Sequence, residues 1–273
     1  MRIMFGHWKY IARNIWAVLP FAIVPAVFLA LSLDYVSIGT LVEGFFTGNP
    51  HADFLLLFRA LSIIRIDSVA GGLFGVGAFI STVFFMALLL AVVEKHMRIG
   101  KRTLSGISTQ FLHLLGPVFG VTLFYTVLYE IWAVVLSALL FVVSALDAVA
   151  LVYVLFCIVF VLFLLAFLYV VSVFYLWLPC KQITGFGAYD ALLYSYRLLG
   201  GVRRRLVFSL LLSLGALFAI LIGCSFLPVY VFWAIAFIAY VFLFLSFSIR
   251  METVYFATDK LDREDLIRSY REL

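Results

Sequence analysis

The chain alternates between long apolar runs and short polar connections. Six runs are long enough to cross a bilayer as helices, which takes about 20 residues. The third and fourth exceed the thickness of the hydrocarbon layer, so we expect them to tilt or to extend beyond it. The pattern predicts an all-α polytopic membrane protein with six transmembrane helices, arranged as three hairpins with interfacial helices. The runs are Ile15–Leu33, Val69–Val93, Leu114–Phe141, Val149–Leu178, Leu206–Leu227 and Val229–Ile249.

The composition agrees with the membrane interpretation. Apolar residues make up 66% of the 273 residues and charged residues 12%, against about 45–50% and about 25% in soluble domains. A soluble enzyme, a nucleic-acid-binding domain and a disordered chain are therefore excluded. The net charge of +5 comes from Lys and Arg in the connections, so it does not indicate a nucleic-acid partner.

The basic residues predict an orientation. Of the 19 Lys and Arg residues, only Arg59 and Arg65 fall between the first and second runs. All others lie in the two tails or in the connections after the second and fourth runs. Because basic residues concentrate on the cytoplasmic side of membrane proteins, we expect both termini in the cytoplasm and residues 34–68 outside.

Two segments outside the runs have helical character. Phe54–Ile66 is too short and too charged to cross the membrane, but it is apolar enough to lie on its surface. We favour a helix that caps the bundle over a binding lid. Residues 1–249 are predicted to form the bundle, and residues 250–273 a cytoplasmic amphipathic helix with Asp259 as its N-cap.

A polar stretch with aromatic residues precedes each odd-numbered run. We interpret the three stretches as copies of one unit, in which a surface helix is followed by a span outward and a span back. The copies are parallel, unlike the inverted repeats of many secondary transporters. In the third stretch, Leu192, Leu193, Tyr196 and Leu199 are predicted to share one helical face. The stretches are His7–Asn14, Ser108–His113 and Tyr189–Arg197.

The segment Asp190–Phe208, with sequence DALLYSYRLLGGVRRRLVF, resembles part of the membrane domain of bacterial glycerophosphodiester phosphodiesterases and of related six-helix bacterial membrane proteins. In those families a surface helix of the pattern acidic-Ala-Leu…Ser…Leu…Gly and a basic cluster lead into the fifth span. The resemblance implies a fold, a membrane role and a bacterial cytoplasmic membrane. It implies no hydrolase activity, because the catalytic barrel of those enzymes is a separate soluble domain for which this chain has no room.

Glu130 is the most unusual residue of the sequence, because it lies within the third apolar run, where a charged side chain costs about 2.5–3.5 kcal/mol of membrane-insertion free energy. It shares one helical face with Thr122, Thr126 and Ser137, and such a polar stripe must face the bundle interior or a cavity. One hypothesis is a proton-linked or cation-binding carboxylate in a transport pathway. The other is a structural carboxylate, satisfied by hydrogen bonds from a neighbouring span, with Thr126 and Tyr153 as expected neighbours, or by an outer arginine. We favour the structural role.

Two further clusters have candidate roles. Gly71 and Gly75 form the small-xxx-small pattern that lets helices approach closely. Arg203, Arg204 and Arg205 abut the fifth run, where they either bind anionic lipid headgroups or only enforce topology.

No other pattern indicates chemistry. The histidines are too scattered for a metal site, and no catalytic constellation or cofactor motif is present. The sequence therefore favours a non-enzymatic accessory or scaffold protein whose partners are membrane lipids or other membrane-protein subunits. The alternative is a small transporter or channel subunit that uses the stripe around Glu130.

Overall fold

The computed structural model describes residues 2–65, 68–100 and 106–259, and this part of the chain is mainly helical. Six of its helices are long and apolar enough to cross a membrane: α1, α4, α5, α6, α9 and α10 in the order below. The predicted all-α membrane protein with six spans is confirmed. The helices are α1 Arg2–Ser32, α2 Tyr35–Thr47, α3 Phe54–Leu61, α4 Val69–Ile99, α5 Ile107–Ser144, α6 Val149–Phe174, α7 Trp177–Thr184, α8 Ala188–Leu198, α9 Arg203–Cys224 and α10 Val229–Thr258.

The six long helices form a closed ring. Around it, α1 contacts α4, α4 contacts α5, α5 contacts α6, α6 contacts α9 and α9 contacts α10, while α10 returns to α1. The three predicted hairpins are the consecutive pairs α1–α4, α5–α6 and α9–α10. We call the end that carries α2 and α3 the covered end. The end that carries α7, α8 and the start of α1 is called the basic end.

The helices begin close to where the apolar runs begin, but several continue past them. Val69, Val149 and Val229 start α4, α6 and α10 as predicted. At the basic end α10 continues to Thr258, because packing buries polar residues there, including Glu252.

The three polar stretches adopt different structures. The first belongs to α1, where Asn14 departs from helical geometry and its Nδ2 donates a 2.9 Å hydrogen bond to the Tyr10 carbonyl. A side chain that bonds a backbone carbonyl in this way competes with the hydrogen bonds of the helix and bends it. The second continues directly into α5, and the third forms α8. In α8 the buried face is Ala191 and Ser195, followed by Leu199, whereas Leu193 and Tyr196 point outward. The face that α8 packs against the protein therefore differs from the apolar face, and the interfacial role of the apolar face stays a prediction.

The connection between α1 and α4 contains two helices where one was expected. Asp34 caps α2, since its carboxylate accepts hydrogen bonds from the Ser37 amide and hydroxyl at 3.3 and 2.9 Å. Its Oδ2 also lies 3.5 Å from Nη2 of Arg65. The second helix, α3, starts at Phe54 as predicted but ends at Leu61. Both ends of the connection are thus joined by an ion pair.

The C-terminal prediction changes at its boundary. Residues 250–258 belong to α10, and Asp259, the predicted N-cap, is the C-cap of that helix. Asp259 is buried and accepts a hydrogen bond from the Tyr194 hydroxyl of α8. The rest of the predicted tail helix, residues 260–273, lies outside the described residues.

Candidate functional site: a central cavity

The ring of helices surrounds a cavity of about 800 Å³ that is partly open to the outside, since exposed residues such as Val161 and Ile222 also line it. Side chains from Thr122 to Leu140 of α5 border it, a separation of 18 residues that corresponds to about 27 Å along a helix. The cavity therefore follows the bundle axis over most of the thickness of a hydrocarbon layer, which is about 30 Å.

The cavity wall is almost entirely apolar. On α9 it is formed by Leu210, Leu214, Leu217 and Leu221, which recur at helical spacing and so form one stripe. On α10, aromatic side chains such as Phe244 contribute to the wall. A surface of this kind accommodates hydrocarbon and offers little to a hydrated ion.

The floor of the cavity, at the basic end, is polar and charged. Arg250 of α10 borders the cavity and is 1% exposed. Its Nη2 donates to the hydroxyls of Ser213 and Ser246 at 2.5 and 2.6 Å, and it lies 3.2 Å from Nε2 of His7. The Ser246 hydroxyl lies 3.1 Å from the same histidine nitrogen. Arg250 has no carboxylate partner among the described residues.

Three polar groups of the floor lack hydrogen-bond partners within the described part of the chain. They are Nε of Arg250, the Tyr125 hydroxyl and the Ser248 hydroxyl, and all three residues border the cavity. The Tyr125 and Phe247 rings pack edge to face with centroids 6.0 Å apart, which ties Tyr125 to the turn of α10 that carries Arg250. All three atoms are themselves buried, so this unused hydrogen-bonding capacity is not exposed to the cavity.

The covered end is closed by α2 and α3, whose side chains, including Val42 and Leu57, form the cavity roof. This cover is attached to several spans. The Tyr153 hydroxyl of α6 donates to the Phe45 carbonyl at 2.7 Å, and the Ser144 hydroxyl of α5 donates to the Ala52 carbonyl at 3.1 Å. The cover is therefore an integrated part of the bundle.

Glu130 is one of these attachments. Its Oε1 accepts hydrogen bonds from the amides of Ile63 and Ile64 at 3.0 and 3.1 Å, and its Oε2 accepts one from the Ser62 hydroxyl at 2.8 Å. The adjacent Tyr129 hydroxyl donates to the Leu61 carbonyl at 2.6 Å. The carboxylate fixes the end of α3, and its donors include backbone amides that the sequence pattern could not identify.

The other residues of the polar stripe either border the cavity or are packed inside the bundle. Thr122 and Thr126 border the cavity, and the Thr126 hydroxyl donates to the Thr122 carbonyl at 2.9 Å. Ser137 is fully buried, and no described group bonds its hydroxyl. Tyr153, an expected neighbour of Glu130, instead holds α2 to α6.

Gly71 and Gly75 do lie at a close approach, but the segment that approaches them is the connection between α1 and α4. A methyl group on Gly75 would lie 2.9 Å from the Ile63 carbonyl oxygen, and one on Gly71 would lie 2.8 Å from Cβ of Arg65. The expected helix-to-helix contact occurs at Gly77, where a methyl group would lie 2.7 Å from the Phe28 ring of α1.

The arginine triplet contains two kinds of residue. Arg203 is half-buried, with its guanidinium 4.4 Å from the centroid of the Tyr196 ring, a cation–π contact. Arg204 and Arg205 are exposed beside it. Only these two are available to a lipid headgroup without rearrangement.

A buried acidic pair near the basic end was missed by sequence reasoning. Glu94 is 2% exposed, accepts a hydrogen bond from the Gln110 side chain and lies 3.5 Å from Arg98. Glu252 is fully buried, and neither of its carboxylate oxygens has a partner among the described residues. Among the described residues, no three His, Cys, Asp or Glu side chains lie close enough together to hold a metal ion.

Comparisons with protein-family models, curated proteins and solved structures found no match. The resemblance of Asp190–Phe208 to phosphodiesterase membrane domains stays a prediction.

Proposed function

We propose that this chain is a non-enzymatic integral membrane protein that binds lipid in its central cavity, as an accessory or scaffold protein for membrane lipids. The observation that carries the proposal is the apolar cavity of about 800 Å³ inside the ring. That volume lies within the range of about 300–1,000 Å³ typical of ligand sites. A cavity with this wall, surrounded by a bilayer, is suited to acyl chains.

The contacts of Glu130 support lipid binding over ion transport. Its carboxylate already accepts three hydrogen bonds from the end of the cover, and Glu130 does not border the cavity. A site that binds and releases ions needs a group that can exchange partners. The second candidate function, a small transporter or channel subunit, is favoured by the length of the cavity and by Thr122 and Thr126 on its wall.

The proposed orientation follows from the charge distribution. With both termini in the cytoplasm, the basic end lies inside and the cover outside. In that orientation Arg204 and Arg205 meet the anionic cytoplasmic leaflet. We propose the bacterial cytoplasmic membrane as the location on the basis of the family resemblance.

The test is native mass spectrometry of the purified full chain, which detects lipids that stay bound when detergent is removed. Leu214 borders the cavity, so Leu214→Trp should fill part of it and reduce the bound lipid. Leu212 on the same helix is 49% exposed on the outer face, so Leu212→Trp is the matched control and should not change it. Equal lipid retention by both variants would contradict a cavity site.

A further inference from the structure

The floor of the cavity has an unbalanced charge. Arg250 is 1% exposed, and its guanidinium contacts Ser213, Ser246 and His7, none of which carries a negative charge. A buried charge without a counter-ion is strongly unfavourable, and removal of one partner from a buried ion pair typically destabilises a protein by several kcal/mol. The site is therefore suited to a negative charge.

The position of this charge is a second, independent observation. Arg250 borders the apolar cavity, and its partner Ser213 precedes Leu214 of the leucine stripe on α9. An ionised carboxylate or phosphate only accepts hydrogen bonds and forms charge-assisted bonds with a guanidinium. An acyl chain attached to such a group would lie beside that stripe.

We infer that the cavity binds an anionic amphiphile, with its carboxylate or phosphate head at Arg250 and its acyl chain along the leucine stripe of α9. The inference rests on the proposed lipid-binding function and specifies the headgroup. The chain extends from the floor toward the cover, because the leucine stripe runs in that direction. The same head chemistry occurs in free fatty acids and in phosphatidic acid, and the experiment separates them.

The experiment adds lipids to the purified full chain in phosphatidylcholine mixed micelles and measures bound ligand by native mass spectrometry. Oleate and phosphatidic acid are titrated separately. We expect at least one of them to bind in preference to phosphatidylcholine, and whichever binds identifies the head and the number of chains. Inorganic phosphate should not displace it. Displacement would assign the floor to a free anion and overturn the amphiphile.

Arg250→Gln should weaken binding of the anionic lipid by about 10- to 150-fold, the range for a charge-assisted hydrogen bond. Arg250→Lys keeps the charge and should retain part of the preference. Arg197→Gln, on the exposed face of α8, is the control and should bind as the native chain does. If Arg250→Gln does not fold, Arg250→Lys tests the same contact.

The possible failures are distinguishable. If phosphatidylcholine binds as well as the anionic lipids, and the Arg250 variants change nothing, the headgroup assignment is wrong while lipid binding stands. If Leu214→Trp also leaves all binding unchanged, the lipid lies outside the cavity and the proposed function itself fails.

Discussion

Removal of the Glu130 carboxylate should release the end of the cavity cover. In Glu130→Leu the amides of Ile63 and Ile64 both lose their acceptor, whereas the Ser62 hydroxyl still reaches the Ile64 carbonyl at 3.0 Å. Each buried donor left without a partner costs about 1–3 kcal/mol. The two amides together should weaken the attachment of the cover by about 2–6 kcal/mol.

Glu130→Gln should have a much smaller effect. The amide oxygen can occupy the position of Oε1 and accept from both backbone amides, while the new NH₂ group can donate to the Ser62 hydroxyl. What is lost is the charge assistance, which roughly doubles the strength of a hydrogen bond. We expect a cost of about 1 kcal/mol.

Hydrogen exchange measured by mass spectrometry reports this attachment directly, because local opening need not unfold the bundle. In Glu130→Leu the Ile63 and Ile64 amides should exchange at least about 30-fold faster, the factor that corresponds to about 2 kcal/mol. Glu43→Gln, at an exposed position of α2, is the control. Unchanged exchange in the leucine variant would refute the hydrogen bonds. Loss of a pH-dependent ion flux in Glu130→Gln with exchange unchanged would instead establish the ion-site hypothesis.

Three further predictions test the remaining features. Single cysteines at Asn49 and Tyr189, both exposed, should label from opposite sides of the membrane when the native cysteines are replaced, and labelling from the same side would exclude the six-span topology. Replacement of Arg204 and Arg205 by Gln should lower the amount of co-purified anionic lipid, because each charge contributes about 1 kcal/mol to the attraction of anionic lipid. Inverted insertion would show that the two arginines enforce topology instead. Gly75→Ala should lower the free energy of unfolding by about 1–3 kcal/mol through overpacking, while Gly120→Ala, which has open space around it, should be neutral or up to about 1 kcal/mol stabilising.

Hydropathy predicted the spans because lipid requires apolar helices, but it could not predict where the helices end. The polar residues after Ile249 were assigned to a separate cytoplasmic helix. In the structure Glu252 is buried by neighbouring helices at the basic end, so α10 continues through it and ends at the buried C-cap Asp259. Packing against other helices determines where α10 ends, and the sequence of this segment alone does not contain that information.

The cavity itself was not predictable from periodicity. The leucine stripe of α9 lies in a run that is apolar on every side, so no polar face marks which side points inward. Arg250 has the sequence context of an ordinary basic residue at the end of a span, and Glu130 stood out only because it lies in the middle of one. The acceptor could be identified from the sequence, but its donors, about 67 residues away, are backbone groups that every residue carries.

The two ends of the cavity differ in their charge, and that difference identifies the end that receives an anionic headgroup. Near the covered end the Glu130 carboxylate accepts three hydrogen bonds from the chain itself and does not border the cavity. At the floor the Arg250 guanidinium borders the cavity and has no carboxylate partner among the described residues. A buried charge without a counter-ion gains most from a bound group of opposite charge. An anionic headgroup is therefore bound most favourably beside Arg250, with its chain directed toward the cover.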